Sequence, residues 1–267
     1  MDDGHPILVY QMGKVGSSTV VESLKHQQAY QPVLHIHTLD RSRIESASKK
    51  IHETSAPWQD QHLVLSRQLL EWPGLLSRPL KVVTIVREPV SRAISHVFET
   101  WRSRFPEAES AGGVRVTDAV REVGRLLREE HQFFDPSRWF DHEIKQVFGV
   151  DVFAQPFDYA QGFNIVREGR VEVLVLRTED LNLRMHEALG AFLGLPMDDT
   201  RVEAANRSGE KQYGPAMKCV RASLRLDGAT MRRVVESRLV RHFYADRVEE
   251  LTRRWSEEAE PAGNGWA

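Results

Sequence analysis

Two short groups of residues could do chemistry. The first is "YQMGKVGSST" (10–19), where Lys14 stands between Gly13 and Gly16 and is followed by Ser17, Ser18 and Thr19. An apolar run, "PILVYQ" (6–11), precedes this turn, and a helical pattern from about Ser18 to Gln27 follows it. In a strand–loop–helix unit the loop N–H groups and the helix N-terminus face one point, and that point favours an anion. Glycine lets the backbone come close, and hydroxyls and a lysine add donors. Read alone, the same residues make a helix capped by Ser17 or Ser18 beside a surface lysine, and short Gly/Ser motifs are common. The second group is "IVREPVSRAIS" (85–95), with Arg87 at the end of an apolar run and Ser95 eight residues later. Ligands of open α/β sheets gather at the C-terminal ends of strands. A guanidinium there and a hydroxyl two helical turns on could hold one phosphate. Each half alone also fits an ordinary surface; together they are more specific.

The elements that would position these groups are legible. "LKVVTIV" (80–86) is a continuous apolar run of the kind found in a parallel sheet covered on both faces. "PVLHIHTL" (32–39) reads as another strand, and residues 171–177 as a strong one entered through a hairpin at Glu168 and Gly169. Asp40 suits the N-cap of a helix over 40–54, residues 62–72 read as a helix or a strand–helix junction, and Pro89 suits a first helical turn. Residues 115–148, 183–195 and 215–257 are helical in pattern, with loops expected at 108–116 and 203–215. Strands alternating with helices predict an α/β fold, P-loop-like and three-layered, with a mainly parallel central sheet, a helical insertion and a helical C-terminus. The expected boundaries are one domain over 1–258 and a disordered tail over 259–267.

The chain has 267 residues, 41% hydrophobic and 28% charged, enough for a full core. The net charge of -2 gives no support for binding nucleic acid or membrane by bulk charge. Cys219 is the single cysteine, so no internal disulfide can form; it reads as a small buried residue, and a reducing compartment, the cytoplasm, is expected. No apolar run approaches the roughly 20 residues of a membrane span. No metal-ligand cluster stands out, although His35 and His37 share a strand face at a spacing that also suits a metal pair.

The loop at 10–19 resembles the 5′-phosphosulfate-binding loop of sulfotransferases, whose pattern is K-x-G-[ST]-[ST]-[ST]; the ATP-type pattern G-x-x-x-x-G-K-[ST] is absent. The segment 85–95 resembles their 3′-phosphate element, and "VLVLRTEDL" (173–181) resembles a strand and loop of the same superfamily. "GEKQYG" (209–214) and "ESRLVRHFYADRVEELTRRW" (236–255) are similar to the C-terminal part of a bacterial group of capsular polysaccharide synthesis proteins. The resemblance spans about 7–255. It implies 3′-phosphoadenosine-5′-phosphosulfate (PAPS) as donor, adenosine 3′,5′-bisphosphate as product, no required metal, and an acceptor hydroxyl on a saccharide. It assigns Lys14, Val15, Gly16, Ser17, Ser18 and Thr19 to the 5′ end of the nucleotide and Arg87 and Ser95 to its 3′-phosphate. A closing loop would bring Arg207, Lys211 and Tyr213 to the nucleotide, although a solvated basic loop has the same composition.

Sulfuryl transfer, like phosphoryl transfer, places charge on the leaving oxygen, where Lys14 would act. The acceptor would need a base, and histidine suits neutral pH. His35, His37, His52 and His62 lie between the motifs. His62 leads, because uronyl 2-O-sulfotransferases similarly carry a histidine shortly before the 3′-phosphate strand; Glu53 and Asp60 are carboxylate alternatives. Two other classes fit the residues: an atypical nucleotide kinase or hydrolase, and a non-catalytic nucleotide-binding protein. Magnesium-dependent ATP binding would separate the first, and binding without turnover the second.

Overall fold

The computed structural model describes residues 6–27, 32–46, 60–72, 74–75, 77–105, 113–195 and 213–257. Five strands form one sheet in the order β2-β1-β3-β5-β4. They are β1 (Ile7–Tyr10), β2 (Val33–Ile36), β3 (Leu80–Val86), β4 (Phe163–Glu168) and β5 (Val171–Arg177). β1 pairs in parallel with β2 and β3, and β3 pairs in parallel with β5. β4 is antiparallel to β5, the hairpin turning at Gly169, whose φ of 56° suits glycine. With its flanking helices this is the expected three-layer α/β arrangement.

The sheet forms because its strands are almost continuously apolar. All four residues of β1 are buried, as are six of the seven in β3 and in β5. Strands sandwiched this way cannot face water on either side, so they select parallel neighbours joined by helices. The order matters for function. From β1 the chain moves first to β2 on one side, and later to β3 on the other, so the strand order reverses between β1 and β3, the position where ligands of open α/β sheets gather.

The chain divides into two compact units, one of Met1–Arg87 with Arg138–Asn206, the other of Glu88–Ser137 with Arg207–Ala267. The first holds the sheet. The second is helical, as expected of the insertion and C-terminus. Its helices include Pro89–Glu99, Val116–Glu129, Gly214–Ser223, Gly228–Glu236 and Val248–Trp255. Pro89 takes the first turn of its helix, and the cap is Glu88, whose carboxylate accepts from the N–H groups of Val90 and Ser91 at 2.8 and 2.7 Å. Asp40 caps a helical stretch that begins at residue 41, as expected, its Oδ1 accepting from Arg43 N at 3.1 Å. The ambiguous 62–72 stretch is part of a helix, Asp60–Glu71.

Cys219 corrects an expectation: it is exposed. On the helix Gly214–Ser223 the buried positions are Gly214, Met217 and Val220, a stripe spaced by three, and position 219 falls outside it. Among the described residues no helix is long and apolar enough to cross a membrane. The expected tail and most of the two expected loops lie outside the described residues.

Candidate active site

The loop after β1 has an unusual backbone. Lys14 is the one non-glycine residue with positive φ among those described, at 73°, and Gly16 follows at 84°. A left-handed lysine is disfavoured by about 1–2 kcal/mol and persists only where surrounding contacts hold it. Those contacts are present. Arg87, one residue past β3, donates from Nη1 to the Lys14 carbonyl at 3.0 Å. Thr178, one residue past β5, has its hydroxyl 2.7 Å from the Val15 carbonyl and 2.9 Å from that of Val86. A Cβ on Gly16 would meet Thr178 and Leu181 at 3.4 Å, an ordinary van der Waals contact, so it is the φ of 84° that calls for glycine there.

Val15 is buried, and the helix Ser17–Gln27 begins directly after Gly16. Helix N-terminus, Lys14 and Arg87 therefore gather at the C-terminal ends of β1 and β3, where the strand order reverses. Arg87 Nε is buried and has no hydrogen-bond partner among the described residues. A buried guanidinium donor left unmatched is costly unless a ligand or water completes it. No Asp or Glu occurs in residues 10–19. The donor set suits an anion.

Beside this loop three histidines pack together. Ring centroids of His35 and His37 are 4.8 Å apart, those of His35 and His62 5.2 Å, and those of His37 and His62 4.9 Å. His35 lies in β2, His37 one residue past its end, and His62 in the first turn of Asp60–Glu71. Nδ1 of His37 lies 3.0 Å from the Gln11 carbonyl, and Nδ1 of His62 lies 3.1 Å from the His35 carbonyl. A carbonyl only accepts, so each neutral ring carries its proton on Nδ1 and keeps a lone pair on Nε2. Gln11 Nε2 is 2.9 Å from His35 Nε2, which accepts from the amide. Burial pushes His35 down to about 3, helped by the other two histidines and Lys25. Burial also lowers His37; the Gln11 carbonyl opposes this, and His62 and the nearby Lys14 charge add to it. Lys14 thus acts on the cluster electrostatically. Among the described residues no group of three or more His, Cys, Asp or Glu side chains could hold a metal ion.

The remaining candidates are less concentrated. Ser17 is buried at the helix start, with Ser18 and Thr19 half-buried. Ser95 lies in the helix Pro89–Glu99 of the second unit. In that unit Tyr213 donates to Glu99 at 2.9 Å and packs beside Phe98 with centroids 5.5 Å apart. His52, Glu53, Arg207 and Lys211 lie outside the described residues, and Asp60 is the first residue of its helix.

Sequence reading missed four residues here: Tyr10, Gln11, Thr178 and Glu143. Tyr10 and Gln11 left a signal, two polar side chains closing an apolar strand. Thr178 falls within 173–181, whose resemblance gives it no role. Glu143 left none, because "FDHEIK" looks like a helix face in water. It sits instead in a π-helical turn, Phe140–Lys145, and is fully buried.

Residues 130–245 match the model of the NKWYS family, described as "Putative capsular polysaccharide synthesis protein". The matched stretch contains the π-helical turn, the β4–β5 hairpin and Thr178, and begins after the Lys14 loop and the histidines. No curated protein and no solved structure matches the chain.

Proposed function

We propose that the protein is a PAPS-dependent sulfotransferase that modifies a hydroxyl of a saccharide. The observation that supports this most is the Arg87–Lys14 contact. It brings two anion-binding motifs, separate in sequence, to one switch point of the sheet, with a buried guanidinium N–H left to donate. The family matched over 130–245 supports a saccharide acceptor by its description.

PAPS, when bound, supplies the sulfuryl group, whose bond to a phosphate oxygen breaks as a bond to the acceptor oxygen forms. Lys14, Ser17, Ser18 and Thr19 with the helix N-terminus would hold the 5′ end, and Arg87 and Ser95 the 3′-phosphate; Arg207, Lys211 and Tyr213 would belong to the closing loop. The Lys14 ammonium meets the charge that grows on the leaving oxygen, where a fixed cation helps more in the transition state than before it. His62 takes the acceptor proton at Nε2, while its Nδ1–H stays on the His35 carbonyl. Burial keeps His37 neutral, which suits its Nε2 to accept a hydrogen bond from the acceptor.

The test is thermal. Adenosine 3′,5′-bisphosphate without magnesium should stabilise the chain by about 2.7 kcal/mol at 100 times Kd. That is roughly 5–10 °C for this size. ATP should do less, and Arg87→Ala should remove most of the shift. Equal shifts from both nucleotides would discard the 3′-phosphate assignment, and magnesium-dependent ATP binding would point to a kinase or hydrolase.

A further inference from the structure

Glu143 is a buried carboxylate of the sheet unit with several donors around it, and the reaction above does not use it. It accepts from Tyr10 Oη, from Thr38 Oγ1 at 2.8 Å, and from the N–H groups of Leu39 and Asp40 at 2.9 and 3.2 Å; Arg43 Nη1 lies 3.4 Å away. A carboxylate has about four lone-pair sites. Here donors occupy them all, as a buried charge requires.

The arrangement of those donors is informative. Apart from Tyr10, every partner lies in 38–43, directly after His37. From the same side, Trp139 Nε1 donates to the His37 carbonyl at 3.3 Å. The Tyr10 ring is held edge-on by Trp139 and Phe148 at 5.3 and 5.6 Å. Its hydroxyl also accepts from Leu39 N at 2.8 Å. One helical turn thus grips the backbone on the C-terminal side of His37, while the Gln11 carbonyl holds the ring. π-helical turns recur at functional sites, where they re-aim side chains.

We propose that Glu143 is a positioning residue, fixing the segment after His37 and so the orientation of that imidazole within the histidine cluster beside Lys14. Its effect on transfer rests on the sulfotransferase reading, whereas its effect on the ring does not. Among the described residues, the groups facing His37 are Gln11, His35, His62 and the Lys14 ammonium.

The test uses the full chain with ¹⁵N-labelled histidine, comparing wild type with Glu143→Gln and Thr38→Val, and assigning His37 by its loss in His37→Asn. In wild type, His37 should be the Nδ1–H tautomer and titrate below the ordinary histidine value. In folded Glu143→Gln its tautomers should mix and its midpoint should rise toward that value. Thr38→Val should do the same to a smaller degree, and it decides the matter if Glu143→Gln does not fold. The bisphosphate-induced melting shift should persist, while kcat for transfer falls roughly 10–10²-fold, the scale for a small misplacement of a reacting group. A folded variant with lowered melting temperature but unchanged His37 tautomer and titration overturns the proposal. Failure of wild type to bind bisphosphate overturns the sulfotransferase reading instead, and the histidine spectra still decide the role of Glu143.

Discussion

The sheet-bearing unit and the helical unit each contain a dense set of charges, built on different plans. In the first, Glu143 is fully buried, and its donors are two backbone N–H groups, two hydroxyls and one arginine. In the second, Arg125 reaches Glu122, Glu129 and Glu130, and Arg104 reaches Glu122 and His96. There the Arg125 side chain is 37% exposed and that of Glu129 58%. Long side chains in water lose entropy on pairing and are screened, so such contacts hold little in place. A buried carboxylate bonded to main-chain N–H groups dictates where the chain runs. The lesson is that exposed pairs such as Arg125 with Glu129 maintain a surface, whereas a buried carboxylate bonded to main-chain N–H groups, as Glu143 is, sets geometry.

The sharpest way to break this contrast is Glu143→Ala. Removing one partner from a buried ionic network costs about 3–5 kcal/mol. Urea denaturation should show that loss, and a change under about 1 kcal/mol would place Glu143 with the surface charges.

Next come Lys14 and His62. Lys14→Ala should slow transfer by ~10²-fold or more, the range for a lost electrostatic donor. His62→Ala should slow it by about 10²–10⁴-fold, the contribution of a positioned base, with bisphosphate binding kept. Transfer assays beside melting curves check both. Turnover near wild type would reduce either residue to a structural part.

A smaller effect is expected from pH. His35 is neutral in the fold down to about 3 and has an ordinary value of 6.5 when unfolded. Between those limits the unfolded chain binds more protons, so stability is full above 6.5 and falls as pH drops toward 3. His37 acts in the same direction. Carboxylates held low, such as Asp40 and Glu122, add to the loss only near and below their unfolded values of 3.8 and 4.5. Melting temperature between about pH 5 and 6.5 therefore isolates the histidines. His35→Asn should flatten the slope there, and an unchanged slope would put the protons elsewhere.

The smallest effect belongs to the helical unit. Glu129→Ala should change stability by less than about 0.5 kcal/mol and lose even that in high salt. A larger loss would mean that the surface network holds the helices together.

Much of the fold was readable because its signals are local. The apolar runs 80–86 and 171–177 name buried parallel strands, and Glu168-Gly169 names the hairpin between β4 and β5. Lys14 and the hydroxyls after it mark a helix start that could hold an anion. The i, i+2 spacing of His35 and His37 already suggests that their rings meet, as they do at the end of β2. Residue type misleads at Cys219: a lone cysteine suggests a buried small residue, whereas its position on the helix Gly214–Ser223 puts it outside the buried stripe.

What composition, spacing and period determined by themselves was an α/β sheet with a glycine- and hydroxyl-rich loop between strand and helix and a strand-end arginine. They did not determine that Arg87 holds the Lys14 carbonyl in a left-handed turn, that His62 joins His35 and His37, or that Glu143 grips the chain after His37. These contacts join residues 73, 27 and 104 positions apart. They exist because the strand order β2-β1-β3-β5 carries distant strand ends to one edge of the sheet. A hydrophobic pattern specifies which face of an element is buried, and says nothing of which other element covers it. Only the register of β1 against β2 and β3, with the π-helical turn at 140–145, decided which polar side chains would meet.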